Sequence, residues 1–225
     1  AWRFAVALDG RPIGTHEFVV QGPEANAGAA ASAPAAADVR RVSATARFDV
    51  KVLGLSVYRY LHEVREQWQA GCLATLTART DDDGTVTEVR GQAATAGGGF
   101  TIEVEGGSKG GRGGGSGDGS PSGGGSSTPA PARRSASGCV MSFAYWNPAI
   151  LRQTRLLDPG SGRLEAVQIS ELPAATLPVR GRAQPVQGWR IAGLPQPIDV
   201  WYADGRWVGL DTTVQGGRRL SYRLN

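Results

Sequence analysis

The chain has 225 residues, a formal net charge of +4 and only two cysteines. Lysine occurs only at Lys51 and Lys109, and the arginines are scattered among acidic residues; without a basic run or stripe, nucleic-acid binding is not expected. No window approaches about 18 consecutive apolar residues, which excludes a transmembrane helix.

Ala1 opens directly onto an alternating segment, as expected of an exported protein whose signal peptide has been removed. WRFAVALDGRPIGTHEFVV reads as a hairpin. Trp2, Phe4, Val6 and Leu8 share a face, and Asp9-Gly10 with Pro12 makes the turn. Residues 21–38 are alanine-rich, carry two prolines and lack a period, which predicts a surface loop. From Val39, the residues Val42, Ala44, Ala46, Phe48, Val50 and Val52 occupy every second position, as in a long strand with one buried face. Leu53-Gly54-Leu55-Ser56 turns the chain. Tyr58, Tyr60, His62, Val64, Glu66 and Trp68 then line one face of the next strand. Gln69-Ala70-Gly71 is a further turn, Asp83-Gly84 is a strong hairpin signal, and Phe100–Gly106 is another short strand.

Residues 107–138 are nearly all glycine, serine, proline and arginine, a tether without the apolar content to order itself. CVMSFAYWNPAILRQ follows from Cys139. Asn147-Pro148 is a helix start, with asparagine as N-cap and proline in the first helical position. Asp158-Pro159-Gly160-Ser161-Gly162 forces a turn. The remainder reads as strands, with a hairpin at Asp204-Gly205. The expectation is one all-β domain over residues 1–225, a strongly curved antiparallel meander of about eleven strands with one short helix, forming a half-barrel or open barrel.

The blocks LDGRPIGTHEF, FDVKVLGLSVYRYLHEVREQWQAGCL, CVMSFAYWNPAIL, LLDPGSGRLEAV and DVWYADGRWVGL, in that order, resemble the bacterial DUF6134 family. CVMSFAYWNP is the most specific of them. The family's members look like exported envelope proteins, so the resemblance implies a periplasmic or secreted location and lends no reaction. The meander and its opening DG-x-P-I-G hairpin are also similar, at the level of fold, to half-barrel proteins related to bacterial lipoprotein carriers.

In an exported chain, Cys72 and Cys139 suggest one disulfide; in a cytosolic one they would be separate thiols. If bonded they close a loop that contains the whole tether, worth ~4 kcal/mol by chain entropy. His62-Glu63-Val64-Arg65-Glu66 brushes against the zinc-protease signature but lacks the second histidine. A zinc site would need His16, His62 and a carboxylate brought together, so no metal is expected. Asp81-Asp82-Asp83-Gly84 fits turn chemistry better than a calcium loop. The GGSKGGRGGGSG run lacks the Ser or Thr and the helix of a phosphate loop. No G-x-S-x-G elbow occurs. An enzyme would require His62, Glu66 and Asp81 to converge.

The aromatic excess is the remaining signal, and it is either packed core or ligand wall. The leading expectation is a non-enzymatic exported protein without a cofactor. It would bind a lipid or other hydrophobic molecule in a curved-sheet groove walled by Trp68, Phe143, Tyr145, Trp146, Ile150, Trp189 and Trp201, with peripheral membrane association. The alternatives are an envelope scaffold or partner-binding domain and, third, a hydrolase-like enzyme.

Overall fold

The computed structural model describes residues 1–22, 39–94, 98–109 and 131–225. The first half of the chain forms strands β1 (Trp2–Leu8), β2 (Arg11–Gln21), β3 (Val39–Val52), β4 (Leu55–Gln69), β5 (Cys72–Asp82), β6 (Thr85–Ala93) and β7 (Phe100–Lys109). The second half adds β8 (Ala132–Ala136), β9 (Arg155–Leu157), β10 (Leu164–Ala166), β11 (Gln168–Val179), β12 (Arg182–Ala192), β13 (Ile198–Ala203), β14 (Arg206–Val214) and β15 (Arg218–Leu224).

Thirteen strands form one sheet, ordered β11-β12-β13-β14-β15-β1-β2-β3-β4-β5-β6-β7-β8, while β9 and β10 pair as a separate miniature hairpin. Every ladder of the large sheet is antiparallel. The meander owes its regularity to a repeated turn. Asp9-Gly10, Leu53-Gly54, Ala70-Gly71, Asp83-Gly84, Arg180-Gly181 and Asp204-Gly205 all place two successive residues at positive φ. Two positive φ values match the twist of the flanking strands, and glycine takes the second without a Cβ penalty.

The sheet curls but does not close, since β11 and β8 are not hydrogen-bonded to each other. Both edges are blunted against further pairing. β11 carries Pro173 and Pro178, which cannot donate to a ladder. β8 is only five residues long and presents Arg133 and Arg134. Arg133 pairs with Glu103 of β7, and β11 is tied back by the Arg180 N–H donating to the Leu224 carbonyl (2.8 Å).

Three expectations change in detail. About eleven strands become fifteen among the described residues. The extra ones are short, and β8 lies in an ARRSA segment whose composition carries no strand signal. The helix is a single 3-10 turn, Pro148–Arg152, although its cap is as expected, with Asn147 Oδ1 accepting from the Ala149 N–H at 3.1 Å. The two low-complexity boundaries also move. β2 runs to Gln21, and β7 and β8 occupy both ends of the stretch read as tether. The rest of both stretches, and with it most of the glycine-rich run, lies outside the described residues.

The core sits on the concave face. Phe4, Phe18, Val42, Val64, Trp68, Leu76, Val89, Ile102, Val200, Trp207 and Leu210 project into one cluster from most of the sheet's strands. The segment after Cys139 crosses this interior. The Cys72–Cys139 disulfide holds it to the start of β5, and the Leu73 N–H donates to the Val140 carbonyl beside it (2.9 Å). Trp146 then meets Trp68 of β4 edge-on at 5.5 Å, and Tyr145 meets Trp207 of β14 at 5.2 Å. One short stretch thus bridges two distant parts of the sheet. Each aromatic side chain buries on the order of 150–250 Å², so these contacts weigh heavily in closing the interior.

Candidate functional site

A cleft of about 470 Å³ remains between the sheet and this crossing segment. Its floor follows from strand register. One inward row runs Phe4, His16, Ala46, His62, Thr80 across β1 to β5, and the next runs Phe18, Ala44, Val64, Ala78, Val89 across β2 to β6. At the centre of the second row β3 supplies only Ala44, which lines the cleft between the bulkier Phe18 and Val64, whereas Ala46 packs with Val6 and Phe48. Phe18, Val42, Ala44 and Val64 line this floor. Phe143, Ala144 and Tyr145 form the roof, and the Asp158–Arg163 turn with Leu194 and Pro195 forms the mouth.

Besides Tyr145, six ionisable residues line the cleft: His16, His62, Glu66, Asp158, Arg163 and Glu165. His16 lies under the aromatic rings of Phe18 (4.3 Å) and Tyr222 (5.7 Å), and neither of its ring nitrogens has a hydrogen-bond partner. Burial pushes its pKa down to about 3, because a low-dielectric setting penalises the imidazolium. His62 Nδ1 shares a 2.7 Å hydrogen bond with Thr80 Oγ1 across the β4–β5 ladder, and burial lowers its pKa against the opposing pull of Asp158. Glu66 accepts from Trp68 Nε1 at 2.8 Å and from the Ser142 hydroxyl at 2.6 Å. Asp158 is occupied by its own turn, accepting from the Gly160 N–H (2.9 Å) and the Ser161 hydroxyl (2.6 Å).

Glu66 therefore ties the crossing segment to β4. Burial raises its pKa above the ordinary 4.5, partly offset by its two donors. A raised folded-state pKa contributes stability that is full below about pH 4.5 and is lost as pH rises through the folded value. Glu66→Gln keeps an acceptor for Trp68 and lets Ser142 reverse its hydrogen bond. Urea midpoints measured from pH 4 to 9 are expected to fall more with rising pH in the wild type than in Glu66→Gln.

Of the residues expected to wall a groove, Phe143 and Tyr145 line the cleft. Trp68 and Ile150 are enclosed in the core, at 1% and 0% exposure. Trp146 is buried against Trp68 and borders a different concavity, beside Trp2 and Arg206. Trp189 packs on Tyr202 at 5.5 Å, and Trp201 donates to Asp211 at 2.8 Å, both away from the cleft. His62 and Glu66 share the inner face, as their spacing requires, whereas Asp81 does not join them. Its carboxylate accepts from the Gly84 N–H (2.9 Å) in the β5–β6 turn. The catalytic set of His62, Glu66 and Asp81 is thus not assembled, because Asp81 serves its own hairpin. Asp158, noticed in the sequence only as a turn residue, is the carboxylate beside His62.

No group of three or more His, Cys, Asp or Glu among the described residues is placed to hold a metal ion. The residue the sequence reading undervalued is His16. Its signal was available, since it falls two residues before Phe18 on a strand of period two.

The family model for a domain of unknown function, DUF6134, matches residues 4–225. No curated protein matches. Among solved structures, the chain is similar to a β-barrel-like protein of DUF1849 from Brucella abortus, with a TM-score of 0.55 and 12% identity. That alignment covers 100% of this chain and 95% of the other. At this identity it establishes a shared barrel-like fold and nothing about activity.

Proposed function

The chain belongs to the DUF6134 family, and on that premise we propose that it is an exported, non-enzymatic protein that holds a hydrophobic or amphipathic small molecule, such as a lipid, in the cleft. The observation that carries this reading is the apolar hollow over Ala44. A sheet that packs Trp68, Trp207 and Phe4 to within 1% of full burial leaves Phe18, Val42, Val64 and Phe143 bordering about 470 Å³ of space, within the usual range of ligand pockets, ~300–1,000 Å³. Periplasmic or secreted location is supported by the disulfide, since such bonds persist in oxidising compartments.

The β3–β4 hairpin supports peripheral contact with a membrane. Its neighbours stop pairing at Phe48 and Tyr60, yet the hairpin continues through Asp49–Arg59 to Val52–Leu55. It therefore projects about 13 Å beyond the sheet at ~3.3 Å per residue. Val52, Leu53, Leu55 and Val57 are exposed at its end, Leu53 at 98%. Tyr58, Lys51 and Arg59 follow behind them. Aliphatic residues outermost, with tyrosine and basic residues one step back, is the order found at a bilayer interface. The cleft row containing His16 and His62 lies toward this end of β3 and β4, so ligand would enter from the membrane side.

The scaffold reading is less well supported, because both sheet edges are guarded against strand addition. The test is extraction from vesicles. After incubation with mixed-lipid vesicles and re-isolation, native mass spectrometry is expected to find one bound lipid per chain. Leu53→Asp with Leu55→Asp is expected to slow loading by roughly a hundredfold or more without changing the melting temperature, in line with the ~3 kcal/mol or more that burial of two leucines contributes. A wild-type chain that returns empty from every vesicle composition contradicts the proposal.

A further inference from the structure

A second concavity, of about 910 Å³, shares no lining residue with the cleft. It lies beside the start of β3, where Arg40 sits. Val52, at the other end of the same strand and next to the hairpin tip, is ~40 Å away at ~3.3 Å per residue. Trp2 and Trp146 give the concavity an aromatic wall, and the guanidinium of Arg40 lies over the Trp146 ring at 5.8 Å. The β11–β12 and β13–β14 turns bring Arg180 and Arg206 to its rim. Among the described lining residues, three arginines thus face one carboxylate, Asp204.

Arg180 is held there against local preference. The first turn residues Asp9, Leu53, Ala70, Asp83, Arg180 and Asp204 all adopt positive φ, which most side chains resist. Aspartate tolerates this conformation and alanine is small, so Leu53 and Arg180, each at φ 50°, are the bulky departures. Leu53 is the outermost apolar side chain of the hairpin tip. Arg180 is its counterpart at the opposite end, where the same strain retains a cation. Local strain kept at a surface concavity points to use there. Arg190 pairs with Asp199 and Arg218 with Asp9, whereas neither Arg180 nor Arg206 forms an ion pair among the described residues. Both are exposed, so both guanidinium groups are open to a ligand.

Charge and shape narrow the occupant. A guanidinium presents a planar fork of N–H donors that fits two oxygens of an oxyanion at once. Two open forks offer more parallel donors than one carboxylate can receive, whereas a phosphate monoester brings three acceptor oxygens and a larger charge. The volume exceeds what a phosphate alone fills and falls in the usual range for small-molecule pockets, ~300–1,000 Å³. The half-buried Trp2 indole offers a flat apolar face to the remainder of the molecule. We propose that this concavity binds a soluble phosphate monoester, its phosphate bridging Arg180 and Arg206 and a ring of its organic part lying against Trp2. The phosphate is that of a soluble molecule and not of a lipid headgroup, because a chain whose hairpin meets a bilayer turns this end away from it.

Isothermal titration at low salt compares phenyl phosphate, benzoate and phenol on the wild type, Arg206→Gln and Arg180→Asn. The wild type is expected to bind phenyl phosphate at least tenfold more tightly than benzoate, to bind phenol no better than benzoate, and to lose affinity as salt is added. Each substitution is expected to weaken phenyl phosphate binding roughly tenfold, through loss of one charge-assisted fork. Arg180→Asn is also expected to melt higher than the wild type, because asparagine accepts the positive φ that arginine resists. Arg206 is not at positive φ, and Arg206→Gln is expected to leave the melting temperature unchanged. A preference for benzoate or phenol, wild-type affinity in both variants, or no binding of phenyl phosphate would overturn the assignment. Vesicles containing phosphatidate that bind through Arg180 and Arg206 while phenyl phosphate does not would assign the site to a lipid headgroup instead. An Arg180→Asn variant that melts lower than the wild type would make Arg180 a structural residue and also overturns the assignment. No result of this titration bears on the cleft or its ligand.

Discussion

Replacing Cys72 and Cys139 together by serine is expected to lower the unfolding free energy by about 4 kcal/mol, the chain-entropy value for a closed loop of this length. The two residues are separated by 67 positions, and the loop they close includes the 110–130 stretch. Without the bond, the segment that roofs the cleft would be delivered to the interior by its hydrogen bonds and rings alone. On the sheet side, the Leu73–Val140 hydrogen bond is the nearest remaining tie. Loss of the covalent link is therefore expected to loosen Phe143 and Tyr145 as well as to shift the midpoint. Urea denaturation of oxidised, reduced and doubly substituted protein provides the measurement, with near-ultraviolet circular dichroism reporting on the rings. A midpoint change equivalent to less than about 1 kcal/mol would mean that packing alone seats the segment.

Trp68→Ala is the second large effect, expected to cost about 3–5 kcal/mol. Trp68 is 1% exposed and meets Trp146 edge-on, and its indole N–H donates to Glu66. Truncation opens a cavity beneath the crossing segment and also removes one of the two donors to a buried carboxylate, whose penalty then rises. Trp68→Phe separates the two contributions in part, since it keeps a six-membered ring and loses the donor with the rest of the indole; about 1–2 kcal/mol is expected for it. Trp189→Ala is the control. That ring is half-buried and packs chiefly on Tyr202, so its loss should cost less than that of Trp68. Equal effects from Trp68 and Trp189 would contradict the view that the β4–Trp146 contact anchors the interior.

The two acid-sensitive groups of the cleft pull in opposite directions. Glu66, with a raised pKa, favours the fold at low pH. His16, with a lowered one, contributes stability that is present above pH 6.5 and is lost as pH falls toward about 3. Each is best read by comparing its own variant with the wild type at matched pH.

Much of the fold was legible because strand physics is local. Alternation along Val42–Val52 and Tyr58–Trp68 assigns inner and outer faces without reference to the rest of the chain. Asp-Gly pairs mark turns that only positive φ can make. β8 was missed because ARRSA is a strand only by virtue of β7 beside it. The site was less legible for a related reason. A groove depends on which side chains are opposite one another, and register is a property of strand pairs. Ala44 and Ala46 look unremarkable in sequence until they are placed between Phe18 and Val64, or between His16 and His62. Aromatic content pointed to Trp68 and Trp146, which the fold spends on its core.

The central claim is that the hollow over Ala44 holds a ligand. It is tested most directly by an electron-density map of the protein purified without detergent. The account predicts one continuous elongated feature that runs between Val42, Val64 and Phe143. A map in which Phe143 and Tyr145 have collapsed into the hollow, or in which it holds only separate water peaks, would contradict the account.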